Sequence, residues 1–264
     1  MNTEPEQWIA ALQGSHERLR SLVEPMDSDR VAGPSYASEW SIAQVLSHLG
    51  SGAEIFSLFL DAAQAESEPP GREQFAPIWD EWNAKSPEAQ ASDGLARDAA
   101  YTERFSSLEP AQRDELHLSL FGMELDAIGL MRMRLGEHAL HTWDVAVAVD
   151  DTATVAPDAV ALLVDTLGPL VARSGKPTGA PLKVSILTTD PERRFVLSIG
   201  DSVSLTEADD EADEAGDEVG VPEIRIPAEA LLRLVYGRLD PAHSPTVEAS
   251  GVDLDVLRSV FPGS

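Results

Sequence analysis

Cysteine is absent from this 264-residue chain. Without a thiol the chain can form no disulfide, no thiolate-ligated zinc site and no iron–sulfur centre, and it has no cysteine nucleophile. These classes of site are excluded before any other residue is considered.

Long hydrophobic runs are also absent. No apolar run approaches the roughly 20 residues that a membrane-spanning helix needs. The first residues, Met-Asn-Thr-Glu-Pro-Glu, show neither the positive nor the apolar region of a secretory signal. We therefore expect a soluble, cytoplasmic protein with no membrane role.

Basic residues are few. The chain has 19 Lys and Arg against 46 Asp and Glu, a formal net charge of −27. Such a charge repels phosphate backbones and anionic lipids, which argues against nucleic-acid and membrane-surface partners. It does not exclude a small anionic substrate, which responds to the local field of a pocket. The acidic tract 207–218 is predicted to be a solvated loop because of its run of like charges. It is not interpreted as a calcium-binding loop, because the ligand order of such a loop is absent.

Several familiar motifs are missing too. The sequence has no G-x-G-x-x-G, no P-loop and no G-x-S-x-G. The run Glu137-His138-x-x-His141 is not the H-E-x-x-H of zinc proteases, because the order differs and the leading histidine is absent.

The chain length favours two domains, and the pattern of apolar residues changes near residue 150. Residues 1–150 carry helical spacing in four segments: about 4–24, 41–65, 75–108 with a possible break at Ser86-Pro87, and 123–149. Ser41 and Gln44 fit a capping box at the start of the second helix. Short and moderate loops make an antiparallel four-helix bundle the economical fold for this domain.

Residues 157–264 are predicted to form a small α+β domain. Apolar and polar residues alternate in Leu182–Ile186 and Phe195–Ile199, as they do in strands. Shorter strands are expected near 203–205, 224–226 and 246–248, and helices at 157–174, 228–236 and 253–260. We expect a mainly antiparallel sheet.

The fourth predicted helix contains a candidate half-site for a metal. Glu137 and His141 are four residues apart, so they lie on one helical face and can share a divalent cation. The alternative is a solvated Glu–His pair, although the flanking residues are largely apolar. His138 is turned about 100° from Glu137 and is a poorer ligand. Asp144 is either an acceptor that orients a ligand histidine or a helix-end packing residue.

A third ligand is needed, and His48 on the second helix is the candidate. Two imidazoles and one carboxylate with an open position are typical of a catalytic metal site. The alternative is a core histidine bonded to a carbonyl or carboxylate. His16 is interpreted as a surface or boundary histidine, and His117 receives no role.

These residues resemble the mycothiol-dependent maleylpyruvate isomerase family, a branch of the DinB-like bundles. The N-terminal motifs are Trp40-Ser41-x-x-x-Val45-Leu46-x-His48-Leu49 and Glu137-x-x-x-His141-x-Trp143-Asp144. The C-terminal motifs are Ala228-Glu-Ala-Leu-Leu-Arg-Leu-Val-Tyr-Gly-Arg238 and Leu257-x-x-Val260-Phe261-Pro262. The resemblance therefore covers nearly the whole chain in the family's order.

The resemblance implies a divalent metal, usually zinc, held by His48, Glu137 and His141, with the thiol of mycothiol at the open position. The activated sulfur would then come from the cosubstrate, which complements the absence of cysteine. In the isomerase the thiolate adds to the cis double bond of maleylpyruvate, the new single bond rotates, and elimination leaves the trans product. Arg238 matches a position near the family's site and would hold a substrate carboxylate, or it is an interdomain or surface arginine.

Three functions remain open at this point. The first is a metal- and mycothiol-dependent isomerase or S-transferase acting on a small electrophile. The second is a metal-dependent hydrolase with water at the open position, and the third is a non-catalytic binding or regulatory protein. The sequence does not specify the metal, because zinc, nickel and others accept this ligand set, and it does not specify the oligomeric state.

Overall fold

The chain divides into two compact units. The computed structural model describes residues 4–37, 39–120, 122–208 and 221–263. The units are Met1–Thr154 and Val155–Ser264. Apart from its first two residues, the acidic tract predicted as a loop lies outside the described residues. Among the described residues, no helix is both long enough and apolar enough to cross a membrane.

The first unit is built on four long helices, which confirms the predicted four-helix bundle. They are α1 (Pro5–Val23), α3 (Ile42–Gln64), α5 (Pro87–Ser106) and α7 (Ala127–Val147). Shorter helices lie between them, among them α2 (Ser28–Val31), α4 (Phe75–Asn83) and α6 (Pro110–Asp114). Both α1 and α3 pack against α5 and against α7. The second and fourth long helices are therefore direct neighbours.

Local sequence signals set where these helices begin. The Ser41 hydroxyl accepts a hydrogen bond from the Gln44 N–H, and the Gln44 side chain accepts one from the Ser41 N–H, so the predicted capping box is present. Ser86 caps α5 and Pro87 occupies its first turn, which separates α4 from α5.

The fourth long helix begins later than the predicted residue 123. Asp126 caps α7 by accepting the Gly129 N–H at 2.7 Å. The preceding Met123–Asp126 forms strand β2, which pairs antiparallel with β1 (His117–Leu120). Sequence analysis missed this hairpin, because its two strands are only four residues each and lack a long alternating pattern.

Close packing of α3 on α5 sets the position of α3 in the bundle. A Cβ atom on Gly50 would lie 2.9 Å from the Gly94 Cα of α5, and one on Gly94 would lie 2.5 Å from the Leu46 carbonyl oxygen of α3. Both positions therefore require glycine. Leu46, Leu49 and Val145 belong to one buried core cluster, so the same core also holds α3 against α7.

Within the described residues, the second unit has a five-stranded sheet and four α-helices. The strands are β3 (Leu182–Thr189), β4 (Arg193–Ile199), β5 (Val203–Glu207), β6 (Glu223–Pro227) and β7 (Glu248–Ser250), in the order β5-β4-β3-β6-β7. The helices are α8 (Pro157–Leu163), α9 (Leu167–Ser174), α10 (Ala228–Val235) and α11 (Leu254–Val260). Only the β3–β6 pair is parallel among the described pairs. The predicted α+β class with a mainly antiparallel sheet is therefore confirmed.

Candidate metal centre

The structure brings His48, Glu137 and His141 together. His48 projects from α3, and the other two project from α7. The His48 Nε2 lies 3.3 Å from the Glu137 Oε2, and the His141 Nε2 lies 3.7 Å from the same oxygen. Each residue offers one ligand atom, and these three atoms all lie within 4.8 Å of one another. The two histidines therefore face one carboxylate from neighbouring helices.

His141 is oriented by a carboxylate behind it. Its Nδ1 lies 2.8 Å from the Asp144 Oδ2, and Asp144 is completely buried. This contact directs the Nε2 of His141 toward Glu137. Histidines that bind metals commonly engage a carboxylate through the other ring nitrogen, which fixes the ring and raises its basicity. Of the two roles considered for Asp144, the structure places it in the orienting position.

Aromatic contacts surround the two imidazoles. The Trp40 ring centroid lies 5.1 Å from that of His48 and 5.9 Å from that of His141, nearly parallel to the latter. The His48 and His141 rings meet edge to face at 4.7 Å. Trp40 directly precedes Ser41, the residue that caps α3. The cap of α3 therefore sets both the helix start and the placement of an indole beside the candidate centre.

The three ligand-type side chains differ in exposure. His48 is 39% exposed and Glu137 is 46% exposed, whereas His141 is 9% exposed. The alternative of a core histidine therefore does not describe His48, because its side chain lies at the bundle's boundary beside Trp40. One side of the cluster is therefore accessible to a small molecule, and three protein donors would leave a coordination position open on a tetrahedral metal.

The donor set fits a divalent cation. Zinc in proteins takes imidazole nitrogen and carboxylate oxygen at about 2.0–2.2 Å, and ligand atoms a few ångströms apart surround such an ion after small side-chain movements. Nickel and other first-row metals accept the same donors. His48, Glu137 and His141 would be the residues that hold the metal.

A second cluster lies between α1, α5 and α7. The Asp98 Oδ2 lies 2.6 Å from the His16 Nδ1 and 2.9 Å from the His138 Nε2. The His138 Nδ1 in turn lies 2.8 Å from the Ser15 hydroxyl. All three potential ligand atoms fall within the same 4.8 Å limit as in the first cluster.

Charge compensation distinguishes this second cluster from the first. The Arg134 Nη2 lies 2.5 Å from the Asp98 Oδ1, and both side chains are buried. Burial alone would raise the pKa of Asp98, but the attraction of His138 and Arg134, with hydrogen bonds from His138 and His16, outweighs it. The pKa is held well below the ordinary value of 3.8. A cation here would lie beside a buried guanidinium, so we interpret the cluster as a buried, charge-compensated hydrogen-bonded network rather than a metal site.

Sequence analysis missed the importance of this network. His16 lies at the boundary of the bundle, but its contact with Asp98 was not predicted, and His138 is fully buried. Asp98 lies on the third helical segment and is only 1% exposed. One signal was available, because Asp98 shares its helical face with the apolar residues Ala91, Tyr101 and Phe105.

Arg238 belongs to the second unit, in the turn after α10. Gly237 precedes it with a φ of +68°, a conformation that favours glycine. The backbone N–H of Arg238 donates to the Arg233 carbonyl at 2.7 Å, and its Nη1 donates to the Tyr236 carbonyl at 3.1 Å. The predicted role of Arg238 in holding a carboxylate stays a prediction.

Two solved structures agree with this fold over nearly the whole chain. The crystal structure of the mycothiol-dependent maleylpyruvate isomerase matches with a TM-score of 0.68 at 13% sequence identity, over 94% of each chain. A histidine-to-alanine mutant of that enzyme matches with a TM-score of 0.67 at 12% identity, also over 94% of each chain. A third solved structure matches with a TM-score of 0.41 at 17% identity, over 56% of this chain and 89% of its own. It is YfiT from Bacillus subtilis, described as a probable metal-dependent hydrolase with an unusual four-helix bundle topology. No curated protein matches the chain significantly.

The sequence itself decides the family. The family model described as the mycothiol maleylpyruvate isomerase N-terminal domain matches residues 12–146, just over half of the chain. That range contains His48, Glu137, His141 and Asp144. The chain therefore belongs to the mycothiol maleylpyruvate isomerase family.

Proposed function

We propose that this protein is a metal-dependent enzyme that activates a low-molecular-weight thiol, mycothiol, for addition to an electrophilic small molecule. The observation that carries the proposal is the approach of His48, Glu137 and His141 to within 4.8 Å on an accessible side of the bundle. Membership of a mycothiol-linked family supports the choice of thiol.

The protein's own residues prepare the site. His48 and His141 supply imidazole nitrogens from two helices, and Glu137 supplies a carboxylate between them. Asp144 holds the Nδ1 side of His141, so that the Nε2 is the ligand atom. A divalent cation held there would lower the pKa of a bound thiol and keep it deprotonated at neutral pH.

The chain has no cysteine, so the reacting sulfur must be delivered by a cosubstrate. The partial exposure of His48 and Glu137 leaves a side open for it. With the thiol in place, the enzyme would catalyse either cis–trans isomerisation, by addition, bond rotation and elimination, or transfer of the thiol to the electrophile. Arg238 is proposed to hold a carboxylate of the substrate, on the basis of the family motif that contains it.

Metal analysis tests the site. The purified protein is loaded with Zn²⁺, dialysed and analysed beside the variants His48→Ala and His117→Ala. We expect about one bound ion in the wild type and in His117→Ala, whose histidine is exposed on β1. We expect His48→Ala to lose most of its metal, because two ligands remain of three. Full metal retention in His48→Ala would reject the triad.

Calorimetry with mycothiol tests the chemistry. We expect the zinc-loaded protein to bind mycothiol and the metal-free protein to bind it much more weakly. Absence of binding at millimolar thiol would reject the proposal in favour of a hydrolase or a binding protein. Where the thiol binds, turnover of maleylpyruvate compared with turnover of a generic electrophile separates isomerase from S-transferase.

A further inference from the structure

Arg134 joins the two helices that carry the candidate metal ligands. Its Nη2 donates to the Leu49 carbonyl of α3 at 2.9 Å and also to Asp98. The side chain is 98% buried, with its guanidinium carbon 5.7 Å from the Tyr101 ring centroid and 5.9 Å from that of Phe56. This arginine spans the interior from α7 to the backbone of α3.

Its contacts lie within one turn of the ligands. On α7, Arg134 precedes Glu137 by three residues and so lies on nearly the same face. On α3, Leu49 is the residue after His48. Gly52 follows His48 by four residues, and a Cβ on Gly52 would lie 3.2 Å from the Arg134 Nη1. The guanidinium therefore rests against the turn of α3 that carries His48, in space that a glycine leaves open.

The two ligand histidines are not held equally well. Asp144 fixes His141 from behind, whereas His48 is 39% exposed beside Trp40. A metal site requires its ligands to be placed within about 0.5 Å of the productive geometry. Where the His48 side chain is only partly packed, its position depends more strongly on the backbone of α3. Arg134 is a side chain of α7 that bonds directly to that backbone.

Asp98 neutralises the charge of the buried Arg134 side chain. A buried guanidinium without a countercharge would be strongly unfavourable, and Asp98 supplies the countercharge from α5. Asp98 is itself held by His16 from α1 and His138 from α7. All four long helices therefore contribute to fixing the Arg134 head group at one point.

We propose that Arg134 is a positioning residue for the metal centre, which sets the spacing of α3 and α7 at which His48 meets Glu137 and His141. This inference rests on the proposed function, since it concerns the same metal site. It assigns the buried cluster of Arg134, Asp98, His138 and His16 the role of supporting that site rather than binding a second cation.

The test uses Co²⁺, whose absorption bands report ligand geometry, on the full-length wild type and three variants. Arg134→Lys keeps a positive charge beside Asp98 but replaces the planar fork with a shorter point charge. Gly52→Ala leaves Arg134 intact and crowds its guanidinium, while the alanine itself favours the helix. Arg132→Lys, on the same helix with a half-buried side chain, is the matched control.

We expect Arg134→Lys to weaken Co²⁺ binding by roughly 10- to 100-fold, as loss of a supporting contact does in other metal sites. The bands of the saturated variant should shift, which a general loss of stability would not cause. Gly52→Ala should weaken binding in the same direction with an unchanged urea midpoint, and Arg132→Lys should match the wild type.

Two results would overturn the inference. One is wild-type Co²⁺ affinity and spectrum in both Arg134→Lys and Gly52→Ala. Another is a loss of Co²⁺ affinity in the variants that is proportional to their loss of stability, measured by the urea midpoint, while the absorption spectrum at saturating Co²⁺ stays that of the wild type. If Arg134→Lys does not fold, Gly52→Ala alone decides. If the wild type binds no Co²⁺ or Zn²⁺, the proposed function itself fails, which is distinguishable from failure of the positioning role.

Discussion

The Nδ1 of His141 lies 2.8 Å from the Oδ2 of Asp144, one helical turn further along α7. Asp144 is completely buried and its backbone carbonyl accepts the Tyr36 N–H at 3.0 Å, so the carboxylate is held on a rigid part of the bundle. No similar contact to a buried carboxylate is described for His48, whose side chain is 39% exposed and whose Nε2 faces Glu137. Within the described residues, the ring of His141 is therefore oriented by a buried carboxylate, whereas that of His48 is not.

Removing the charge of Asp144 should weaken the metal site without dismantling it. Asp144→Asn retains the shape and an acceptor for the His141 ring, but it lowers the basicity of that histidine. We expect Zn²⁺ affinity to fall by roughly 10- to 100-fold, measured by competition with a chromophoric chelator. Asp151→Asn, in the exposed turn after α7, should bind as the wild type does. Equal affinities for Asp144→Asn and wild type would argue that Asp144 is only a packing residue.

Trp40 should report occupancy of the site. Its ring lies nearly parallel to that of His141, 5.9 Å away, so a paramagnetic ion at the triad would quench its fluorescence strongly. We expect Co²⁺ to quench the wild type and to quench Trp40→Phe by a clearly smaller fraction. Trp79, which is 45% exposed on α4, provides the control Trp79→Phe, which should retain the quenching. Undiminished quenching in Trp40→Phe would place the bound ion elsewhere.

The buried Asp98 should make stability depend on pH. Because its folded-state pKa is depressed, its stabilisation is fully present above the unfolded value near 4 and is lost as pH falls through the folded pKa. At pH 7, Asp98→Asn should lower the free energy of unfolding by about 3–5 kcal/mol, because Arg134 is left buried without a countercharge.

Urea unfolding at pH 7 and at about pH 3 measures this difference, which should shrink at the lower pH. The control Asp93→Asn removes an exposed charge on the same helix, paired with Lys85 at 3.0 Å, and should cost less than about 1 kcal/mol. A cost for Asp98→Asn that matches this control would show that the buried pair contributes little.

Arg238 should affect substrate binding more than turnover. If it holds a substrate carboxylate, Arg238→Lys loses the bidentate contact and should raise KM for an anionic electrophile by about tenfold or more, with a smaller effect on kcat. Metal content should stay at the wild-type level. Arg225→Lys, exposed on β6, is the control. An unchanged KM in Arg238→Lys would assign this arginine a structural role in its turn.

Local geometry explains which parts of the fold were predictable. The helical period alone places Glu137 and His141 on one face, and the Ser41–Gln44 capping box determines where α3 begins and hence the register of His48. Alternation of apolar and polar residues predicted β3 and β4, because these strands of eight and seven residues are long enough to show the two-residue period. The hairpin of β1 and β2 was not predicted, because a strand of four residues is too short to show a clear alternating pattern.

The sequence by itself determined the donor types available, the absence of an internal thiol, and the helices that present His48, Glu137 and His141. Only the tertiary structure decided that His48 reaches Glu137, which lies 89 residues further along the chain. It alone also decided that Asp98, Arg134, His138 and His16 form a buried network. The physical reason is that a helical period fixes neighbours within one helix, whereas a charged residue can be buried only where a partner from another helix neutralises it.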